Sequence, residues 1–146
     1  MPSKKAFIDR LAEFFERAPE GFDYAIETRN PNYLTEDFFD FLRGRNLGFV
    51  MLEGYYMPPI ADIAAEHDVR TAEFSIVRLH GPDRQAIEAR TGGLWGEIVD
   101  PKDEGLRTTA SIIGQNAGRG ITTFVNVNNH YEGSAPLTIQ RLLKLL

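Results

Sequence analysis

Apolar residues recur along this chain with two alternating periods. In some segments they return every three or four positions, the spacing of a helix with one buried face. Between these segments lie short runs whose side chains alternate with period two, the pattern of a strand. The predicted helices are 3–18, the segment from its cap Thr35 to Gly44, 60–66, 83–90, 106–117 and the C-terminal segment that Ser134 caps. The predicted strands are 24–29, 47–53, 74–80 and 121–127.

This alternation of helix and strand predicts an α/β fold with a parallel sheet and right-handed crossovers. Four strands are too few to close a barrel, for which about eight are needed. We therefore expect one domain over residues 1–146, with an open sheet that has two edges to protect. Residues 91–105 are expected to form an irregular excursion, in which Trp95 is either a lid or part of the core. In the last helix, Leu137, Leu142, Leu143 and Leu146 are expected to face inward.

Composition limits the classes of function. The net charge of −5 and the pI near 5.2 argue against a nucleic-acid module that depends on a broad basic surface. The chain has no cysteine, which excludes disulfides, thiolate metal sites and a cysteine nucleophile. No apolar run approaches the roughly 18–20 residues of a membrane span, and the N-terminus lacks a signal-peptide core. We expect a cytoplasmic protein without a membrane partner.

Polar side chains gather where the predicted strands end. In a parallel sheet these C-terminal ends lie side by side, so their side chains can converge on a ligand. Charged groups there are costly to bury unless they pair or meet water or ligand. The sequence therefore predicts a binding or catalytic site, and the alternative is an ion-pair network in which two glutamates neutralise two arginines. The candidates are Glu27, Arg29, Glu53, Arg78, His80, Asn126, Asn128, Asn129 and His130.

Each candidate suits a definite role. Glu27 and His80 form a candidate acid/base pair, although His80 equally fits a hydrogen-bonded histidine at a strand end. Arg29 and Arg78 can clamp a phosphate or carboxylate, or simply neutralise the glutamates. The amides would donate and accept hydrogen bonds, and His130 is either a ligand contact or a solvated turn residue.

A divalent cation is a further hypothesis. Glu27, Glu53 and His80 offer the oxygen and imidazole ligands that suit magnesium, manganese or zinc, but no spacing motif supports a particular metal. The chain also has no P-loop and no GxGxxG motif. The residues therefore leave the cofactor open.

Three stretches, YAIETRNPNYL, FSIVRLHGPD and TFVNVNNHYEGSAP, together resemble the YecE-like proteins, domain-of-unknown-function family seventy-two. The resemblance implies a TIM-barrel variant about twice as long, with this chain as its C-terminal half and no counterpart of the family's opening glycine-tryptophan motif. It brings no assigned reaction. The residues that match are Glu27, Arg29, Asn30, Pro31, Arg78, Leu79, His80, Gly81, Asn128, Asn129, Glu132 and Gly133.

Half a barrel would leave an inner apolar face without cover. We expect this face to carry Phe49, Met51, Phe74, Ile76 and Phe124. One hypothesis is that two copies pair and complete an eight-stranded barrel, or that the four strands rearrange within a dimer. Otherwise, a complementary N-terminal half would supply the missing strands.

Two functions follow from these expectations. The first is an enzyme-like pocket at the strand ends, with hydrolytic or phosphate-ester chemistry on a small anionic or hydroxylated ligand. The second is a non-catalytic half-barrel module, whose apolar sheet face is an interaction surface and whose polar cluster is structural. Nucleic-acid processing is disfavoured by the acidic balance of the chain.

Overall fold

A computed structural model describes residues 3–81 and 83–146 of the chain. Its sheet has four parallel strands in the order β1-β2-β3-β4. The predicted α/β class with alternating helices and a parallel sheet is therefore confirmed. The strands are β1 Ala25–Ile26, β2 Gly48–Gly54, β3 Phe74–Gly81 and β4 Thr122–Val127.

Helices join these strands. The Ser3 hydroxyl accepts a hydrogen bond from the Ala6 amide at 3.1 Å, and Thr35 caps a second helix in the same way, as predicted. No helix in the described part of the chain is long and apolar enough to cross a membrane. The helices are α1 Lys4–Phe15, a 3-10 turn at Pro31–Tyr33, α2 Glu36–Arg43, α3 Ile60–Glu66, α4 Arg84–Thr91, α5 Asp103–Ala117, α6 Asn129–Glu132 and α7 Ala135–Leu143.

The strand order decides which face of the sheet is covered. When each strand lies beside the next one in sequence, right-handed crossovers place all the helices on the same face. The hydrophobic core forms there, because alternate strand residues pack against the helices. The strand residues in this core or packed on it are Ile26, Phe49, Met51, Val77, Leu79, Val125 and Val127.

The opposite face, which we call the inner face, carries the other alternate residues. Val50, Ile76 and Phe124 lie level with one another in register, and Phe124 is 55% exposed. The expectation that Phe49 and Met51 belong to this face is wrong. Both are buried in the helix-side core, because they lie one position out of phase with Val50.

Three local differences have simple causes. β1 ends at Ile26 rather than at residue 29, because the chain already turns at Thr28. In this turn the Asn30 amide donates a hydrogen bond to the Thr28 hydroxyl oxygen at 3.3 Å. The segment after β4, predicted as a loop, forms the single turn α6 because the Asn128 side chain caps it. The Ser134 side chain makes no cap bond, and Asn129 Oδ1 instead accepts from the Ala135 amide at 2.8 Å.

In α7 the buried stripe is narrower than expected. Thr138 and Leu142, four residues apart, are buried, whereas Leu143 and Leu146 are exposed. The prediction that these last two leucines face inward is therefore wrong. They add apolar area to the surface at the C-terminal end of the chain.

Glu132 fixes the irregular segment before α5. Its carboxylate is 0% exposed and accepts hydrogen bonds from the Lys102 amide at 2.6 Å, from Thr138 Oγ1 at 2.8 Å and from Arg141. Its backbone carbonyl accepts from the amides of Val99 and Asp100. A charge buried this deeply is tolerated because three donors bond its two oxygens and one of them, Arg141, carries the opposite charge. Glu132 therefore ties α6, α7 and the start of α5 together.

Candidate functional site

Glu27 joins two arginines on the inner face. Its Oε1 accepts from Arg29 Nε at 2.7 Å, and its Oε2 accepts from Arg78 Nη1 at 2.6 Å. Arg78 reaches over β2, which lies between β1 and β3 in the sheet. The structure therefore brings these three candidates together at the C-terminal edge, as the sequence predicted. It also shows that each arginine is already paired.

The electrostatics of this cluster keep Glu27 ionised. Burial alone would raise the pKa of Glu27, but hydrogen bonds from Arg29 and Arg78 outweigh burial and hold that pKa below its usual value. A carboxylate with a lowered pKa is a poor proton carrier near neutral pH. Glu27 is thus better suited to orienting the two guanidinium groups than to the role of base.

His80 lies two residues after Arg78 on β3, and its ring contacts a tyrosine. The Tyr55 hydroxyl and His80 Nε2 are 3.0 Å apart, and the two ring centroids are 4.3 Å apart. The guanidinium of Arg29 lies 4.6 Å from the centre of the Tyr55 ring. Tyr55 therefore connects His80 to the Glu27 cluster.

Burial lowers the pKa of His80, and the nearby charge of Arg78 acts in the same direction, while the Gly81 backbone opposes them. His80 is therefore neutral at pH 7, the state in which an imidazole can accept a proton. Its Nδ1 is buried and makes no hydrogen bond of normal geometry within residues 3–81 and 83–146.

Sequence reasoning did not select Tyr55. Its backbone has φ = +54°, a conformation that few residues other than glycine adopt. This turn directs the ring back over β3 immediately after β2 ends. In a parallel sheet, functional side chains tend to follow the C-terminal ends of the strands, which we call the strand-end rule. Applied to residue 55, this rule would have included Tyr55, since Tyr55 directly follows β2.

A cavity of about 610 Å³ opens on the inner face beside this cluster. Arg78 and Asn126 are level in register on β3 and β4, so they lie next to each other on its wall. The structure thus groups the amide candidates with Glu27 and Arg78. The lining residues are Glu27, Val50, Ile76, Arg78, Asn126, Val127, Asn128, Asn129 and Ala135.

All three candidates after β4 have structural partners, and that of Asn129 is the Ala135 amide. His130 Nδ1 lies 2.7 Å from Asn128 Oδ1 and its Nε2 lies 3.2 Å from Glu88 Oε1, which links α6 to α4. Trp95 packs edge-on against the same imidazole, at 5.0 Å between centroids. His130 is therefore held beside the cavity and does not line it.

Glu53 is not part of this cluster, which corrects the expectation that it would converge with Glu27. It is level with Leu79, a helix-side core residue, so its side chain points to the covered face. There Glu53 Oε2 accepts from the Ile60 amide at 2.8 Å. The period-two alternation that places Arg78 on the inner face places Glu53 on the other.

The same alternation separates the three residues that were expected to bind a divalent cation. Glu27 and His80 lie on the inner face and Glu53 does not. The described residues contain no group of three or more histidine or acidic side chains placed to hold a metal ion. The predicted ion-pair network is likewise reduced to Glu27 with its two arginines.

Comparison with known proteins agrees with this architecture. A DUF72 family protein from Thermotoga maritima is similar over 99% of this chain and 52% of its own, with 23% identity and a TM-score of 0.69. A DUF72 family protein from Enterococcus faecalis is similar over 100% of this chain and 57% of its own, with 16% identity and a TM-score of 0.61. These likenesses establish the fold, and the chain spans about half the length of either structure.

A search of curated proteins found no match. The family comparison is more informative, because residues 1–146 all match the family described as "Protein of unknown function DUF72". This agrees with the resemblance of the three strand-end motifs. The chain therefore belongs to the DUF72 family.

Proposed function

We propose that this chain binds a small anionic ligand in the inner-face cavity, at the C-terminal ends of β1, β3 and β4. The observation that carries the proposal is the pair of Glu27 and Arg78 at the wall of that cavity, with the guanidinium of Arg29 as a second partner of Glu27. A single carboxylate neutralises only one of the two positive charges, so the cluster keeps a net charge of about +1. An anion entering the cavity would complete the neutralisation.

The donors for such a ligand remain available. A guanidinium has five N–H groups, and the bond from Arg78 to Glu27 uses only Nη1. The remaining N–H groups suit the paired oxygens of a phosphate or carboxylate. Asn126 and Asn128 add amide groups on the same wall, which suit the hydroxyl or ester oxygens of the ligand.

We further propose that His80 acts as the general base in a hydrolytic reaction, such as cleavage of a phosphate ester. Its lowered pKa and its contact with Tyr55 support this role. Glu27 then serves to position the arginines, since its own pKa is lowered. The sequence suggested Glu27 and His80 as the acid/base pair. Here we assign proton transfer to Tyr55 and His80 instead.

Calorimetric titration with inorganic phosphate tests the binding proposal. We expect Arg78→Gln to weaken phosphate binding about tenfold or more, as expected for a lost charged hydrogen bond. Arg70→Gln is a matched control, because Arg70 and Arg78 are 34% and 36% exposed and each donates to one carboxylate. Equal affinities in the two variants would contradict the proposal.

Hydrolysis of p-nitrophenyl phosphate tests the catalytic proposal separately. We expect His80→Gln to abolish turnover while phosphate still binds. His67→Gln is the control, because His67 also contacts an aromatic ring, that of Phe39, far along the chain from the cluster. Unchanged turnover in His80→Gln would remove His80 from the reaction but leave the binding proposal standing.

A second function is supported by the exposed part of the inner face, at β4. Phe124 is 55% exposed there, and Leu143 at the end of α7 and Leu146 beyond that helix are also exposed. Such a face suits an interaction module, with a second copy or a complementary half-barrel as its partner. Light scattering across a concentration series checks this. A dimer that Phe124→Glu dissociates would support it, and a stable monomer at micromolar concentration would contradict pairing of copies.

A further inference from the structure

A second cavity, of about 690 Å³, lies on the helix-covered side of the sheet. It opens between the first turns of α3 and α5, and α6 closes one side. Glu53, which is not part of the cluster of Glu27 with Arg29 and Arg78, forms part of the wall of this cavity. The wall also includes Asp62, Glu104, Gly105 and Tyr131.

One half of the Glu53 carboxylate has a structural role. Oε2 accepts from the Ile60 amide, the first of α3, where Pro59 provides no side-chain cap. Asp62 and Glu104 likewise suit the positive ends of α3 and α5, as acids in first turns do. These roles leave Glu53 Oε1 without a structural explanation.

The hydroxyl of Tyr131 is the second unexplained group. Tyr131 is 2% exposed, and its hydroxyl oxygen has no hydrogen-bond partner among the described residues. Leaving a buried hydroxyl unpaired is unfavourable, so a native fold seldom retains one without a use. Replacement by phenylalanine would avoid this cost entirely.

Gly105 brings the two groups together. A Cβ atom on residue 105 would lie 2.1 Å from the Tyr131 hydroxyl oxygen and 3.7 Å from Glu53 Oε1. Both oxygens therefore face the same point beside the Gly105 backbone. Only glycine leaves room for the tyrosine hydroxyl at this position.

The charge around this point favours a cation. Lys102 pairs with Asp100 at 2.5 Å, and Asp103 pairs with Arg141, so their charges are largely compensated. The remaining charged groups on the wall are Glu53, Asp62, Glu104 and Arg107. Three carboxylates against one guanidinium leave the wall acidic.

We propose that this second cavity binds the ammonium group of a small primary amine, which donates hydrogen bonds to Glu53 Oε1 and to the Tyr131 hydroxyl. An ammonium supplies three donors and a positive charge, which match one carboxylate oxygen and one hydroxyl oxygen. The cavity has room for the carbon chain of the amine as well. A divalent metal is a poorer fit, because the described residues offer no group of three or more acidic or histidine ligands.

Binding should depend on pH in a defined direction. Burial raises the pKa of Glu53, and the charges of Asp62 and Glu104 add to this, while the Ile60 amide and Lys102 oppose it. Arg107 also lines the wall, and the pKa of Tyr131 is itself raised by burial, so its hydroxyl keeps its proton. Protonation of Glu53 removes the charge that holds an ammonium. The affinity should therefore fall as the solution is acidified.

Two probes of equal size test the proposal by NMR on the ¹⁵N-labelled full chain. Propylammonium carries the charged donor, and 1-propanol does not. We expect saturable shifts from propylammonium at the amides of Glu53, Gly105 and Tyr131, and none from 1-propanol. The affinity should drop about tenfold or more in Glu53→Gln and severalfold in Tyr131→Phe.

Glu13→Gln is the control, because Glu13 is an exposed carboxylate on α1, away from the cavity. It should bind propylammonium as the wild type does. Absence of saturable binding, equal shifts from 1-propanol, or unchanged affinity in both Glu53→Gln and Tyr131→Phe would each overturn the proposal. Tyr131→Phe keeps the test valid if Glu53→Gln fails to fold. Because the cavity lies on the other face, this result is independent of phosphate binding.

Discussion

Arg78 Nη1 donates a 2.6 Å hydrogen bond to Glu27 Oε2 between residues that are 51 positions apart in the chain. The bond crosses β2 on the inner face and connects the first and third strands of the sheet. The pair is only partly open to solvent, since Arg78 is 36% exposed and Glu27 is 19% exposed. This partial exposure limits how much the pair contributes to stability, and it leaves part of the Arg78 guanidinium accessible to a ligand.

The stability of Arg78→Met distinguishes the two roles. A partly exposed ion pair contributes about 1 kcal/mol or less, whereas breaking a fully buried pair costs about 3–5 kcal/mol. We expect Arg78→Met to lower the free energy of unfolding by about 1 kcal/mol, measured by urea denaturation. Arg70→Met, at matched exposure, should behave alike. A loss of about 3 kcal/mol or more at residue 78 alone would favour the structural network.

The titration of His80 should be unusual. Because burial lowers its pKa, the imidazole should titrate below the ordinary value of 6.5, as followed by NMR of the ring protons. The folded state then binds fewer protons than the unfolded state. The stability due to His80 is therefore present above pH 6.5 and is lost as the pH falls through the folded pKa.

Tyr55→Phe isolates the hydroxyl in this arrangement, since it keeps the ring that Arg29 contacts. We expect the pKa of His80 to change: upward if the hydroxyl donates to Nε2, downward if it accepts. Tyr56→Phe is the control, because Tyr56 is exposed. A His80 that titrates at or above 6.5, or that ignores the loss of the Tyr55 hydroxyl, would contradict the account.

Gly105 and Tyr131 should be energetically coupled. We expect Tyr131→Phe alone to be neutral or stabilising by about 1 kcal/mol, because it removes an unpaired buried hydroxyl. Gly105→Ala should be destabilising, since its methyl group would lie 2.1 Å from that hydroxyl oxygen. With phenylalanine at 131 the nearest ring atom is 3.5 Å away, so the double variant should fold well. Additive effects in a double-mutant cycle would contradict this contact.

Glu132 should be the most costly carboxylate to neutralise. Its side chain is fully buried and bonds Arg141, Thr138 and the Lys102 amide. We expect Glu132→Gln to lower the free energy of unfolding by about 3–5 kcal/mol, because it leaves the charge of Arg141 without its buried partner. Glu13→Gln should change stability little, since Glu13 is an exposed carboxylate on α1. Equal effects of the two substitutions in thermal denaturation would remove Glu132 from its structural role.

Much of the fold could be predicted because periodicity reports directly on which side chains are buried. The alternation gave the four parallel strands and most helices to within a few residues. It could not tell which of the two apolar faces the helices would cover. Phe49 and Val50 are both apolar, and only the crossover geometry of the folded sheet assigns one to the core and the other to the inner face.

The strand-end rule likewise identified Glu27, Arg29 and Arg78 but overextended to Glu53. β2 is apolar on both faces, so nothing in its sequence shows that Glu53 is out of phase with Arg78. Tyr55 directly follows β2, so its place at the strand end can be read from the sequence, but the positive φ that turns its ring over β3 cannot be predicted from residue type alone. The sequence places Glu132 in a family motif but does not show that it is buried, because its burial depends on distant partners, Arg141, Thr138 and Lys102.

The most direct test of an anion site on the inner face is a map of ¹⁵N amide shifts as inorganic phosphate is added. We expect saturable shifts at residue 78 and over residues 126–129, lost in Arg78→Gln and retained in Arg70→Gln. Shifts that persist unchanged in Arg78→Gln, or that fall on residues away from the cavity, would contradict the proposed site.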